Sequence, residues 1–164
     1  MMSPSVFDLI SVHDFTAGLP EHWTRRLSWA GRPVYRASGR RLCREGSPAD
    51  RFWLVHGGAV AIDFFVPGRG DVVIERLGPG SVVGWSWLLP PGRSRTPADS
   101  TRRARFGAVA ADDLRAVEMD AARVHKLMAE DPDLGLELHR RFLGVTAARL
   151  AAARHRLAEL YAIA

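Results

Sequence analysis

Around Gly84 the chain gathers residue types suited to binding an anion. Leu77-Gly78-Pro79-Gly80 reads as a strand end and a Pro-Gly turn, Ser81-Val82-Val83 as a short apolar strand, and Gly84-Trp85-Ser86-Trp87-Leu88 as a tight polar and aromatic turn. A glycine at position 84 lets backbone approach backbone, or backbone approach a ligand, because no side chain intervenes. The amides of Ser86, Trp87 and Leu88 and the Ser86 hydroxyl are donors that such a turn can offer to a phosphate. Arg93, Arg95, Arg102, Arg103 and Arg105 follow, and read either as an anion-attracting rim or as a solvated loop. Trp85 and Trp87, with Trp53 upstream, suit either a stacking platform for a planar ligand such as a purine or the packing of a core or lid.

Other chemistries find no support. The six histidines, His13, His22, His56, His125, His139 and His155, do not cluster and never form an H-x-H pair, so no metal site is expected. No nucleophile elbow, phosphate loop or paired His/Asp signature appears, so no catalytic residue is assigned and the chain is not expected to be an enzyme. The single cysteine, Cys43, cannot form an internal disulfide and reads as a small buried hydrophobe. An apolar fraction of 47% over 164 residues supports one folded domain. Apolar runs are too short to cross a bilayer, and residues 1–11 lack a secretory pattern, so a cytoplasmic protein without membrane contact is expected. The net charge of +5 is carried almost wholly by arginine, Lys126 being the only lysine, and favours anionic partners.

The elements that must position these residues follow from periodicity. Leu19, Trp23 and Leu27 form one helical stripe within a predicted helical entry from Phe15 to Ala30. Short apolar segments separated by Gly/Pro turns then run to Met119 and predict about eight strands in a small antiparallel sandwich or jelly roll. Gly57-Gly58 reads as a two-residue hairpin between two of them. Asp120 is an N-cap for a helix through Glu130, and Asp131-Pro132-Asp133 opens the last helix. In that helix Leu136, Leu143, Leu150 and Leu157 repeat every seven residues, with His139, Thr146, Ala153 and Leu160 between them. Leu138, Phe142 and Val145 make a second apolar face. One face suits the helix's own domain and the other a second copy, so a homodimer is predicted. Arg140, Arg141, Arg149, Arg154 and Arg156 read as the solvated flank, or as a stripe for non-specific nucleic-acid binding.

In order along the chain, Gly39, the run Arg44-Glu45-Gly46-Ser47-Pro48-Ala49-Asp50-Arg51-Phe52, Gly57-Gly58-Ala59-Val60 and the stretch from Leu77 to Gly84 resemble the cyclic-nucleotide-binding domain of the catabolite-activator (CRP/FNR) superfamily. The resemblance implies a mainly β fold with flanking helices: a helical segment at about 12–32, a double-stranded β-helix (jelly roll) at 33–119, and helices at 120–162 ending in a long C-terminal dimerisation helix. It also implies how a ligand is held. In that family a Gly-Glu pair opens a phosphate-binding cassette, its glutamate accepts from a ribose hydroxyl, and a distal arginine pairs with the cyclic phosphate. Here Gly84 is kept, but Trp85 stands in the glutamate's place, and an indole only donates. Counting back from Ala110 without a gap puts the arginine's position at Ala104, whereas a one-residue gap selects Arg103 or Arg105. The candidate ligand residues are therefore Gly84, Trp85, Ser86, Trp87, Leu88, Arg103 and Arg105.

DNA-binding members of that family continue into a helix-turn-helix module. The sequence to Ala164 predicts none, and hence no sequence-specific DNA binding. The expectation is a stand-alone regulatory or sensory module with a degenerate cassette that signals through a helix-mediated homodimer. No cofactor is expected beyond a cyclic nucleotide or other small anionic ligand. The alternative is a module on the same fold that has lost its ligand and serves an unknown protein partner or a structural role.

Overall fold

The computed structural model describes residues 3–90 and 102–162; Arg93 and Arg95 lie outside them. The chain enters through helices α1 (Val6–Ser11) and α2 (Glu21–Ser28), with a 3-10 turn at Asp14–Thr16 between them. Ser5 and Asp8 cap α1 reciprocally, each side chain accepting from the other's amide, which satisfies donors the first turn would leave unpaired. The helix expected from Phe15 is shorter than its apolar stripe suggested. It starts only after Pro20, because proline disfavours a helical Leu19 before it.

Eight strands follow: β1 (Gly31–Arg36), β2 (Arg41–Cys43), β3 (Arg51–Gly57), β4 (Val60–Val66), β5 (Gly70–Leu77), β6 (Val82–Val83), β7 (Gly107–Ala110) and β8 (Leu114–Asp120). They form two antiparallel four-stranded sheets, β1-β8-β3-β6 and β2-β7-β4-β5. This is the predicted jelly roll, with one reassignment. Gly57-Gly58 does not close a hairpin, because β3 and β4 belong to different sheets. The pair is a corner between layers. Gly58 has φ +76°, and a Cβ there would lie 2.3 Å from the Asp113 carbonyl oxygen, so the close crossing of two chain segments requires glycine.

Alternation along β3 sorts the core into two clusters. Phe52 and Leu54 face the helices with Val117, Met119 and Phe142, while Trp53 and Val55 face the second sheet with Val60, Ile62 and Val83. A strand covered on both faces reads as a continuous apolar run rather than an alternating one. Two helices close the helical layer. Asp120 caps α3 (Ala121–Glu130) by accepting from the Arg123 amide at 3.0 Å. Asp131 accepts from the Leu134 amide in the first turn of α4 (Pro132–Ala162), and also from Trp23 Nε1 at 2.9 Å and Arg26 at 2.8 Å. This single carboxylate therefore fixes the start of α4 against α2. Leu138 and Phe142 are each 2% exposed, so one face of α4 is packed on the domain.

Beneath the entry segment, His13 is buried. Its Nδ1 accepts from the Phe15 amide, so its Nε2–H donates to the Val55 carbonyl at 3.1 Å, and the ring is neutral. Burial, with the neighbouring His56 ring, holds its pKa below the usual histidine value against the opposing pull of the Val55 carbonyl and Asp14. Burial lowers that of His56 as well. Both depressed values have one sign. Stability is complete above about pH 6.5 and falls at lower pH, as the unfolded chain takes up protons that the folded state refuses. We expect urea midpoints to drop as pH falls below neutrality, with a limiting slope of about 1.4 kcal/mol per pH unit for each histidine. His13→Gln keeps an acceptor and a donor and should make that slope shallower; an unchanged slope would refute the assignment.

Candidate ligand-binding cavity

Where the inter-sheet core ends, a cavity of about 230 Å³ opens between the sheets, the cassette and α4. Trp53, Ile62 and Val83 from the core form its floor, with Leu42 and Phe106 beside them. Gly84 sits at its edge with φ +92°, and a Cβ there would lie 3.2 Å from the Arg51 carbonyl oxygen. A side chain at 84 would strain this left-handed backbone and press the cassette away from β3.

After Gly84 a 3-10 turn spans Ser86–Leu88. Trp85 lines the cavity, half-buried, with its ring edge-on to Phe106 at 5.7 Å. Ser86 is buried, and its hydroxyl accepts from the Arg105 amide at 3.0 Å, which ties the cassette to the far wall. Trp87 touches the cavity but belongs to the core, at 1% exposure. It stacks on Phe52 at 4.9 Å and meets Phe142 and His125 edge-on, while its carbonyl is bound to His125 Nε2 at 2.9 Å. This aromatic contact links the cassette to α3 and α4. Leu88 packs against the helical core and does not line the cavity.

The far wall carries the segment of the expected arginine. Residues 102–104 run alongside 46–49: the Ala104 amide donates to the Ser47 carbonyl at 2.8 Å, and the Ala49 amide to the Arg102 carbonyl at 2.8 Å. In this extended segment neighbouring side chains alternate. Ala104 lines the cavity, whereas Arg103 and Arg105 are exposed and lie outside its lining. Arg103 donates to the Gly46 carbonyl at 2.8 Å, and Arg102 to the Leu89 carbonyl at 2.8 Å. Ala104 thus stands at the cavity wall, with the expected ligand residues Arg103 and Arg105 outside its lining.

Two charged groups, Arg149 at the cavity and Glu118 behind its wall, are not among the candidate ligand residues. Arg149 of α4 reads in sequence as part of the solvated flank, yet it lines the cavity and donates to the Val82 carbonyl. Burial lowers its pKa below the usual arginine value, against the charge of Glu75. The signal was available, since Phe142, Val145 and Arg149 lie on one helical stripe. Glu118 of β8 is 6% exposed and gathers Arg32, Arg36 and Arg51, while accepting from Trp53 Nε1 at 3.1 Å. Burial pushes its carboxyl pKa up, but the Arg32 and Trp53 hydrogen bonds and the guanidinium charges outweigh it and hold it below the usual range. The cluster fixes the Trp53 ring and neutralises Arg51 at the cavity wall. Cys43 also lines the cavity, and burial pushes its thiol up to about 11, leaving it protonated and inert at neutral pH.

Among the described residues no group of three or more His, Cys, Asp or Glu side chains could hold a metal ion, and no helix is long and apolar enough to cross a membrane.

Comparison with known proteins places this cavity in context. A CRP-like cAMP-activated global transcriptional regulator of Mycobacterium tuberculosis is 28% identical over 128 residues, 78% of this chain and 51% of the regulator. The chain thus spans about half the length of that relative. A cyclic nucleotide-binding domain from Methylobacillus flagellatus superposes with TM-score 0.67 at 20% identity, over 94% of this chain and 79% of that one. A cAMP-binding acyltransferase from Mycobacterium smegmatis does so with TM-score 0.64 at 22% identity, over 90% of this chain and 41% of that one. At these identities the two structures speak for the fold alone. The model of the cyclic nucleotide-binding domain matches residues 33–131, from β1 through the cassette to the end of α3, and the chain belongs to that family.

Proposed function

We propose that this chain is a non-catalytic regulatory module. It binds a small anionic ligand in the cavity beside Gly84 and passes the signal through a homodimer built on α4. The observation that carries this reading is the position of α4. It closes the cavity with Arg149, packs on the cassette's Trp87 through Phe142, and leaves Leu136, Leu143, Leu150 and Leu157 bare at 64%, 69%, 53% and 54% exposure. A ligand that moves the cassette therefore acts on the helix carrying the dimer seam. The regulator from Mycobacterium tuberculosis, described as cAMP-activated, supports a regulatory role for the shared domain.

The cassette is read as degenerate. Trp85 and Ala104 stand at the cavity wall where the family pattern has an acceptor and a cation, so the ligand differs from an ordinary cyclic nucleotide or is held differently. Thermal-shift screening of cyclic mono- and dinucleotides and small organic anions tests this. A ligand at a hundred times its dissociation constant adds about 2.7 kcal/mol, or roughly 5–10 °C for a domain of this size. A panel in which no compound shifts the transition would favour the interaction module that has lost its ligand.

A further inference from the structure

Among the described residues, Arg149 is the only guanidinium that the helices supply to the cavity. Its polar contact is a neutral one, the Val82 carbonyl, and among the described residues no carboxylate lies within ion-pair distance of it. Arg51, the other arginine at the wall, is already paired, with Asp120 at 3.3 Å and Glu118 at 3.7 Å. A partly buried guanidinium keeps its charge and has lost part of its hydration; in return it receives the Val82 carbonyl dipole and the longer-range charge of Glu75, but no direct ion pair. The rest of the lining is largely apolar and aromatic, with Trp53, Trp85, Phe106, Ile62 and Leu42 around it. The cavity thus joins one cation without an ion-pair partner to a largely apolar and aromatic lining.

We infer that Arg149 is the anion-recognising group of this cavity, and that the ligand is a small amphiphile with one carboxylate or phosphate on an apolar, planar body. This rests on the reading of the cavity as a ligand pocket. An anionic oxygen adds a charged partner that the Val82 carbonyl cannot replace, and a guanidinium binds carboxylate and phosphate oxygens through paired N–H groups. The apolar body covers the indoles. Recognition then lies on α4 rather than on the segment around Ala104.

The test uses naphthoate, naphthyl phosphate and the uncharged naphthamide, titrated by calorimetry and by quenching of tryptophan fluorescence. The intact chain should bind both anions about ten- to a hundredfold more tightly than the amide. The preferred anion identifies the head group. Arg149→Met should remove that preference while leaving the weak binding of naphthamide in place. It should not lower the melting temperature, since it removes a desolvated charge rather than a packed group. Equal binding of anions and amide, unchanged by Arg149→Met, would overturn the role of Arg149 and leave the pocket itself standing. Absence of binding by all three probes and by cyclic nucleotides would overturn both readings.

Discussion

Replacing Leu143 and Leu150 together by glutamate is expected to convert the protein from dimer to monomer at tens of micromolar. α4 is a 31-residue helix with two apolar faces, of which only one is covered. Residues 153–162 are exposed throughout, so its last turns pack on no other element among the described residues. A leucine moved from water into an interface contributes about 1.5–3 kcal/mol when fully buried. In the proposed dimer, four leucines per protomer repeating every seven residues would form the seam. Two glutamates in each protomer would put four carboxylates into one apolar interface, and we expect association to weaken by more than about a thousandfold. Far-ultraviolet circular dichroism should be nearly unchanged, because the face holding Leu138 and Phe142 is untouched. Sedimentation equilibrium checks this directly. A wild-type protein that is monomeric at high micromolar concentration would remove the seam from the account.

The order of short strands, the Asp120 and Asp131 caps and the two faces of α4 were legible because each rests on local rules of turn, cap and period. Pairing was less so. Gly57-Gly58 carries a hairpin signal, but the same glycines serve a corner between sheets, and only the long-range partnership of β3 with β8 decides which. The site followed the same division. Gly84, Trp85 and Ser86 are adjacent in sequence and came together at the cavity. The arginine position depended on a single residue of register, and a shift of one reverses which side chain faces inward. Glu118 escaped notice because a carboxylate in a strand reads as exposed; its burial depends on Arg32, Arg36 and Arg51 arriving from two other strands. Arg149 escaped because charged residues on a long helix are normally solvated.

On the proposed function, the cavity exchanges the usual polar contacts to a cyclic nucleotide for others. Trp85 removes an ionised acceptor, a hydrogen bond of about 1.5–3 kcal/mol, and fills space beside Phe106. Ala104 leaves the phosphate without a cation from the far wall, a second loss of similar size. Each corresponds to roughly ten- to a hundredfold in affinity. Gly84 keeps its left-handed backbone and a 3-10 turn follows it, so on this reading the double variant Trp85→Glu with Ala104→Arg should gain affinity for cyclic AMP by about a hundredfold or more. Isothermal titration of cyclic AMP into the wild type and the double variant is the most direct test. Very weak or absent binding by the wild type and clear binding by the variant are expected; a wild type that binds cyclic AMP at micromolar concentration or tighter would contradict the proposed degenerate cassette.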